Sequence, residues 1–200
     1  LQRPQVDTSY QWTPRDSMSL RVLYNQTSDV AAINAILSSA RLPHEYMNTY
    51  QPLVSKTYAY ILGQIVNDRI SEIFDSNSVP LADFNYRYQD SSMSAEDERF
   101  SFTLYTSSKH IGEATKLFAS TLASLDNGGA TLEEFERAKH KMFTEAEMGT
   151  LSKMTTNKDY VDKCVSSYLY GSNLASDDTI NKFFASTALS RQEELPLFNS

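Results

Sequence analysis

The run LVSKTYAYILGQIVNDRISEIF, residues 53–74, decides how the rest of this chain is read. Val54, Tyr58, Ile61, Leu62, Ile65, Arg69, Ile70 and Ile73 recur at spacings of three and four, which lays them along one stripe of a long amphipathic helix. Asp75-Ser76-Asn77-Ser78 and Pro80 supply its stop. Upstream, the stretch between Pro43 and Pro52 reads as a loop.

Working outward, the period changes from helical to two. Before the helix, Leu20, Val22 and Tyr24 alternate with polar neighbours over Ser19–Gln26, and Thr27-Ser28-Asp29 offers turn chemistry. Ala31–Arg41 follows, with Ile33, Ala35 and Leu37 on one face; its alanines suit a helix, but the hairpin spacing and Ser38-Ser39 favour a second strand. After the helix, Phe84, Tyr86 and Tyr88 alternate with Asn85, Arg87 and Gln89. Phe100, Phe102 and Leu104 do the same against Arg99, Ser101 and Thr103, across a polar connection from Asp90 to Glu98.

The remainder is helical. Ile111, Ala114, Phe118, Leu122 and Leu125 form a stripe that stops at Asn127-Gly128-Gly129. Thr131-x-x-Glu134 is a capping box that opens a helix with Phe135, Ala138 and Met142 inward. Tyr160, Val161, Cys164 and Tyr168 mark another, closing near Gly171; Ile180, Phe183 and Phe184 mark a short one, and Ser190-x-x-Glu193 opens the last. The order β-β-α-β-β-α-α-α-α predicts an α+β fold, a two-layer sandwich of a mostly antiparallel sheet with helices on one face. Residues 1–17, broken by Pro4 and Pro14, read as an entry linker, and 18–200 as the domain.

The chain has 200 residues, enough for a sizeable core. Its 25 Asp+Glu outweigh 18 Lys+Arg, for a net charge of −7, and no basic run interrupts that balance. This argues against nucleic acid or an anionic lipid surface as partner. No stretch of about 18 apolar residues could span a membrane. Leu1-Gln2-Arg3-Pro4-Gln5 carries no apolar signal-peptide core and no initiating Met, so the piece reads as cut from something longer. One cysteine, Cys164, excludes an internal disulfide.

Catalytic motifs are scarce. His44-Glu45 begins as H-E-x-x-H would, but Asn48 stands where the second His belongs, and the inverted H-x-x-E-H is missing as well. His44, His110 and His140 are too scattered to place two imidazoles one helical turn apart. Cys164 sits on an apolar stripe, where a lone Cys is ordinarily a small buried hydrophobe. There is no G-x-S-x-G elbow. Gly128-Gly129 follows a helix rather than a strand, so it reads as a helix stop and not a phosphate cradle. The acids Glu133-Glu134-Glu136 and Asp177-Asp178 fall at helix starts, where they complement the dipole; Glu145-Glu147 form another cluster. Asn25-Gln26-Thr27 matches a glycosylation sequon. The aromatic stripes, Phe84, Tyr86 and Tyr88 with Tyr58, Tyr60 and Tyr168, read first as core packing and second as a face for an extended peptide. The residues thus offer no catalytic group, no metal ligand and no identifiable substrate-binding residue.

Several of these segments, taken in order, resemble the non-catalytic second domain of bacterial M16 (insulinase/pitrilysin-type) zinc peptidases. The strand–turn–strand at Leu20–Arg41 leads into Leu42-Pro43. Ile65-Val66-Asn67-Asp68-Arg69-Ile70-Ser71-Glu72-Ile73 is similar to the family's LNDRLxEL stretch. Gly128, Thr131, Glu134, Ala138 and Lys139 are similar to its G-x-T-x-x-E-x-x-x-A-K pattern, and Tyr168-Leu169-Tyr170-Gly171 follows. The resemblance covers roughly residues 18–200.

What it implies is the fold shared by LuxS and the mitochondrial processing peptidases, and an accessory domain that helps wall a chamber enclosing unfolded peptides. Zinc belongs to the catalytic domain of the parent, which would be this chain's partner, and none is expected here. A strand normally closes the family's domain after its last helices, so an end at Ser200 would leave it out. The resemblance points to a bacterial envelope or periplasmic setting, with the cytoplasm also open. If Phe84, Phe100 and Phe102 point inward, Asn85, Arg87, Arg99, Ser101 and Thr103 lie on the other, peptide-meeting face. Two further readings stand beside this one: a stand-alone scaffold or interaction domain descended from an inactive relative, and an enzyme whose site gathers the scattered histidines and carboxylates.

Overall fold

A computed structural model describes residues 28–47, 49–89, 97–152, 156–170, 174–176, 179 and 191–199. The strand expected at Ser19–Gln26, the linker, the sequon, Asp177-Asp178 and the short helix around Phe183 lie outside these residues.

Three strands form one antiparallel sheet: β1 (Val30–Ala40), β2 (Asp83–Gln89) and β3 (Asp97–Ser107), in the order β1-β3-β2. The long helix α1 (Gln51–Ser76) connects β1 to β2, so two parallel strands flank β3 across a helical crossover. Then come α2 (Ile111–Gly128), α3 (Leu132–Ser152), α4 (Asn157–Tyr170) and α5 (Arg191–Phe198). The α+β sandwich with an antiparallel sheet is therefore the fold observed. The stretch between Pro43 and Pro52 is less irregular than expected. A 3-10 turn occupies His44–Tyr46, and α1 already begins at Gln51, with Pro52 in its first turn, where a missing N–H costs nothing.

Alternation along the strands sends one set of side chains under the helices. Phe102 and Leu104 are fully buried against Val66, Ile70 and Phe74 of α1 and Ala114 and Phe118 of α2. Phe84 stacks on Phe102 with ring centroids 6.0 Å apart, and Phe100 meets Phe102 edge-on at 4.6 Å. A second cluster joins Ile61 and Ile65 of α1 to Ala130, and to Phe135 and Ala138 of α3. The middle of α1 is thus buried on two sides, by the sheet with α2 and by α3, which is why Gly63, Gln64, Ile65 and Val66 are buried in succession. Leu37 departs from the expected inward face. It pairs with Phe100 in the ladder but is 55% exposed, whereas Ile33 and Ala35 on the same face pack against the core.

The stop signal after α1 is a complete Schellman motif. Val79 N–H donates to Phe74 C=O at 3.0 Å and Ser78 N–H to Asp75 C=O at 3.1 Å, while Val79 and Phe74 pack in the same core. Ser78 carries the left-handed residue at φ 56°, where a Cβ is disfavoured. Ser78→Gly will accordingly raise the unfolding free energy by about 0.5–1 kcal/mol, read as a higher urea midpoint at unchanged slope.

The stripe on α4 exists as expected, but it faces outward. Tyr160, Val161, Val165, Tyr168 and Leu169 are exposed, Tyr168 at 90%, and Cys164 is exposed with them. Cys164 is therefore not the buried hydrophobe its helical phase predicts. Periodicity shows that a helix has an apolar side; it does not show what covers that side.

Candidate functional site

The inward turn of Phe84, Phe100 and Phe102 fixes what the other face of the sheet presents. The ladder aligns three residues at a time across it: Ala32, Tyr105 and Asp83; Asn34, Thr103 and Asn85; Ile36, Ser101 and Arg87; Ser38, Arg99 and Gln89. The outer two strands expose Asn34, Ile36, Asn85 and Arg87, while Ser101 and Thr103 on the central strand are half-buried by their neighbours. This face is polar, with short amides and hydroxyls interrupted by Ile36 at 59% exposure. Asn85 Nδ2 donates to Asp83 Oδ2 at 2.8 Å, and Ser101 Oγ to Arg87 C=O at 3.3 Å, so several groups are already oriented. At the far end, on the helix side, Glu98 accepts from Ser39 of β1 at 3.0 Å and Tyr88 of β2 at 2.6 Å, tying the three strands together.

The elements behind that face are held by two polar networks. In the first, Arg69 of α1 meets Glu134 of α3 through two bonds, Nε to Oε1 at 2.6 Å and a terminal nitrogen to Oε2 at 2.8 Å. The same guanidinium donates to Gly129 C=O at 2.9 Å. Glu134 Oε2 also accepts Thr131 N–H at 2.8 Å, and Glu134 N–H returns to Thr131 Oγ1 at 3.2 Å, which completes the expected capping box. The Arg69 hydrogen bond, followed by the Thr131 contacts, holds the Glu134 carboxyl at a pKa of about 2 despite partial burial. Glu134 thus does more than complement a dipole: it joins two stretches distant in sequence, around Asn67-Asp68-Arg69 and Thr131-x-x-Glu134. α4 opens on a related box, Thr156-x-x-Asp159.

In the second network, Lys141 Nζ donates to Gln64 Oε1 at 2.7 Å, Gln64 Nε2 donates to the Tyr86 hydroxyl at 2.5 Å, and Tyr60 O–H donates to the Glu145 carboxylate. Burial is the main cause that raises the phenol pKa of both Tyr60 and Tyr86, so both stay neutral hydrogen-bonding groups rather than phenolate nucleophiles. Gly63 admits the Tyr86 ring so closely that a Cβ there would lie 2.1 Å from it.

The histidines do not converge. Nδ1 of His110 is 2.7 Å from the Ser107 hydroxyl, His140 is exposed on α3, and His44 stands in the 3-10 turn before α1. Among the described residues no group of three His, Cys, Asp or Glu side chains could hold a metal ion, and no helix there is long and apolar enough to cross a membrane. Sequence reading anticipated Asn85, Arg87, Arg99, Ser101 and Thr103 on the open face. It did not name Asn34, Ile36 and Tyr105, whose signal was available once β1 and its alternation were set against β3. It also missed the partnerships of Gln64, Lys141 and Glu145, which no local pattern could reveal.

In fold, an antiparallel sheet with helices on one face, this chain is similar to parts of solved insulinase-family proteases. The chain is similar to the periplasmic protease PqqL from Escherichia coli, with a TM-score of 0.62 at 16% identity over 86% of this chain. It is similar to the separately solved first half of PqqL at 0.60 and 16% over 84% of the chain, and to a predicted insulinase family protease from Yersinia pestis at 0.58 and 14% over 88%. At these identities the likeness is one of fold. The chain spans 19% of PqqL, 35% of its first half and 38% of the Yersinia protein. No family model and no curated protein matches the sequence.

Proposed function

We propose that this chain is an accessory, non-catalytic unit of a zinc-dependent metalloendopeptidase of the M16 type, and that the sheet face opposite α1 and α2 forms part of the wall of a chamber enclosing peptide substrates. The observation that carries this reading is the open face itself: three strands present Asn34, Asn85, Arg87, Ser101 and Thr103 outward over an aromatic core. Such a surface offers hydrogen bonds to an extended, unfolded peptide without gripping one sequence. Zinc and the hydrolytic residues are assigned to another domain of the parent, against which this unit packs. The exposed apolar side of α4 supports its working beside another protein surface, since a patch of this kind marks an interaction site. The same patch would serve the scaffold reading, in which no active peptidase is attached.

Peptide titration separates these readings. An unfolded model polypeptide, added to isotopically labelled protein, is expected to shift the amides of Asn85, Arg87, Ser101 and Thr103, and Arg87→Glu to weaken an acidic peptide's binding about threefold or more. The protein alone is expected to take up no stoichiometric zinc in equilibrium dialysis and to cleave no peptide. Tight zinc uptake, or peptide shifts confined to the helices, would refute the proposal.

A further inference from the structure

We propose that residues 191–199 are a detachable strap: a groove between α1 and α3 recognises Glu194, Leu195, Phe198 and Asn199 as an intramolecular ligand, releases them as one unit, and binds the same segment when it is supplied in trans. The groove is built from Tyr58 and Ile61 of α1, the Ala130 backbone, and Phe135, Ala138 and Lys139 of α3.

Each anchor has its own complement. Glu194, buried at 5% exposure, pairs with Lys139, whose ammonium also stands 5.8 Å from the Phe135 ring centroid. Phe198 meets Tyr58 edge-on at 5.5 Å and lies tilted against Phe135 at 5.1 Å. Leu195 packs into the same apolar cluster. The Asn199 side chain pairs twice with one residue, accepting from Ala130 N–H at 2.9 Å and donating to Ala130 C=O at 3.1 Å. The site is selective at Gly129 as well, since a Cβ there would fall 2.7 Å from the Asn199 amide carbon. Leu197, between these anchors, is exposed at 56%.

Two physical facts make this a ligand rather than a fixed piece of the core. α5 has 8 residues and contains Pro196, which removes one internal hydrogen bond, so the helix is too short and too interrupted to hold its shape alone. Helix formation and docking are therefore one event. Release also returns Lys139 and Glu194 together to water, so it strands no buried charge and leaves the sheet and its aromatic core intact.

Hydrogen exchange on the whole protein tests the release. The amides of Leu195, Leu197, Phe198 and Asn199 and that of Ala130 should exchange together, about tenfold or more faster than those of Val66–Ile70. Exchange of both sets in a single global step overturns the proposal. A fluorescein-labelled peptide of residues 190–200 tests the recognition. It should bind the Phe198→Ala protein about tenfold more tightly than the wild type, whose own strap competes for the groove. Asn199→Ala, at an exposed position, gives the same comparison in smaller degree should Phe198→Ala not fold. Equal binding to wild type and variant, or binding to neither, overturns it.

Discussion

Gly63→Val will lower the unfolding free energy by about 3 kcal/mol or more. The position is mid-helix, where valine is intrinsically no worse than glycine, so propensity predicts almost no change. Packing predicts the opposite. The Tyr86 ring occupies the space a Cβ would fill, with its nearest atom 2.1 Å away, and that ring is fixed by Gln64 through its hydroxyl and by Tyr60 at a centroid distance of 6.1 Å. The helix must therefore lift from β2, or the ring must leave and abandon its hydrogen bond. Urea denaturation decides between propensity and packing, and Tyr86→Ala in the same chain should recover part of the loss. A midpoint unchanged by Gly63→Val would mean that α1 does not sit on β2 as described.

The second large effect is at Glu134. Glu134→Ala should cost about 2–3 kcal/mol, less than a fully buried pair because both partners still touch water. The loss has three parts: Arg69 is left half-buried without its carboxylate, Thr131 N–H loses its acceptor, and the α2–α3 turn loses the tie to Gly129 C=O that a fixed guanidinium supplies. Arg69→Ala should cost a similar amount, and the double variant less than the sum of the two, since each single change already removes the shared contact.

The pH dependence has a definite sign. The folded-state pKa of Glu134 is depressed to about 2 from an ordinary 4.5. Its contribution is therefore fully present above about pH 4.5 and is lost as pH falls from there through about 2. The wild type should lose stability across that window more steeply than Glu134→Gln does. Equal slopes would remove Glu134 from the acid transition.

The stretch 53–74 made the architecture legible because its period is local. Spacings of three and four define a helix wherever it lies, and alternation defined β1, β2 and β3 and which phenylalanines share a face of their strand. The caps were legible for the same reason: Thr131 and Glu134 are three residues apart, and the Schellman turn ending at Val79 spans only a few more. Arg69 illustrates the boundary. Its place in an apolar stripe was visible in the sequence, but the reason a cation belongs there lies 65 residues away at Glu134.

What depended on distance along the chain was not legible. Cys164 and Tyr168 obey a helical period as regular as that of α2, yet α2 is covered by the sheet and the α4 stripe is exposed. Leu37 alternates correctly but is exposed. Asn199 has no pattern at all and finds Ala130 only once α5 is laid against α3. The sequence by itself determined the described elements, the cap at Thr131 and the stop after α1, the two alternating faces of each strand and the absence of a paired-histidine metal motif, because each is written in neighbours a few residues apart. Only the tertiary structure decided which apolar faces are covered, which charges meet and which side of the sheet stays open, because those depend on surfaces brought together from distant parts of the chain.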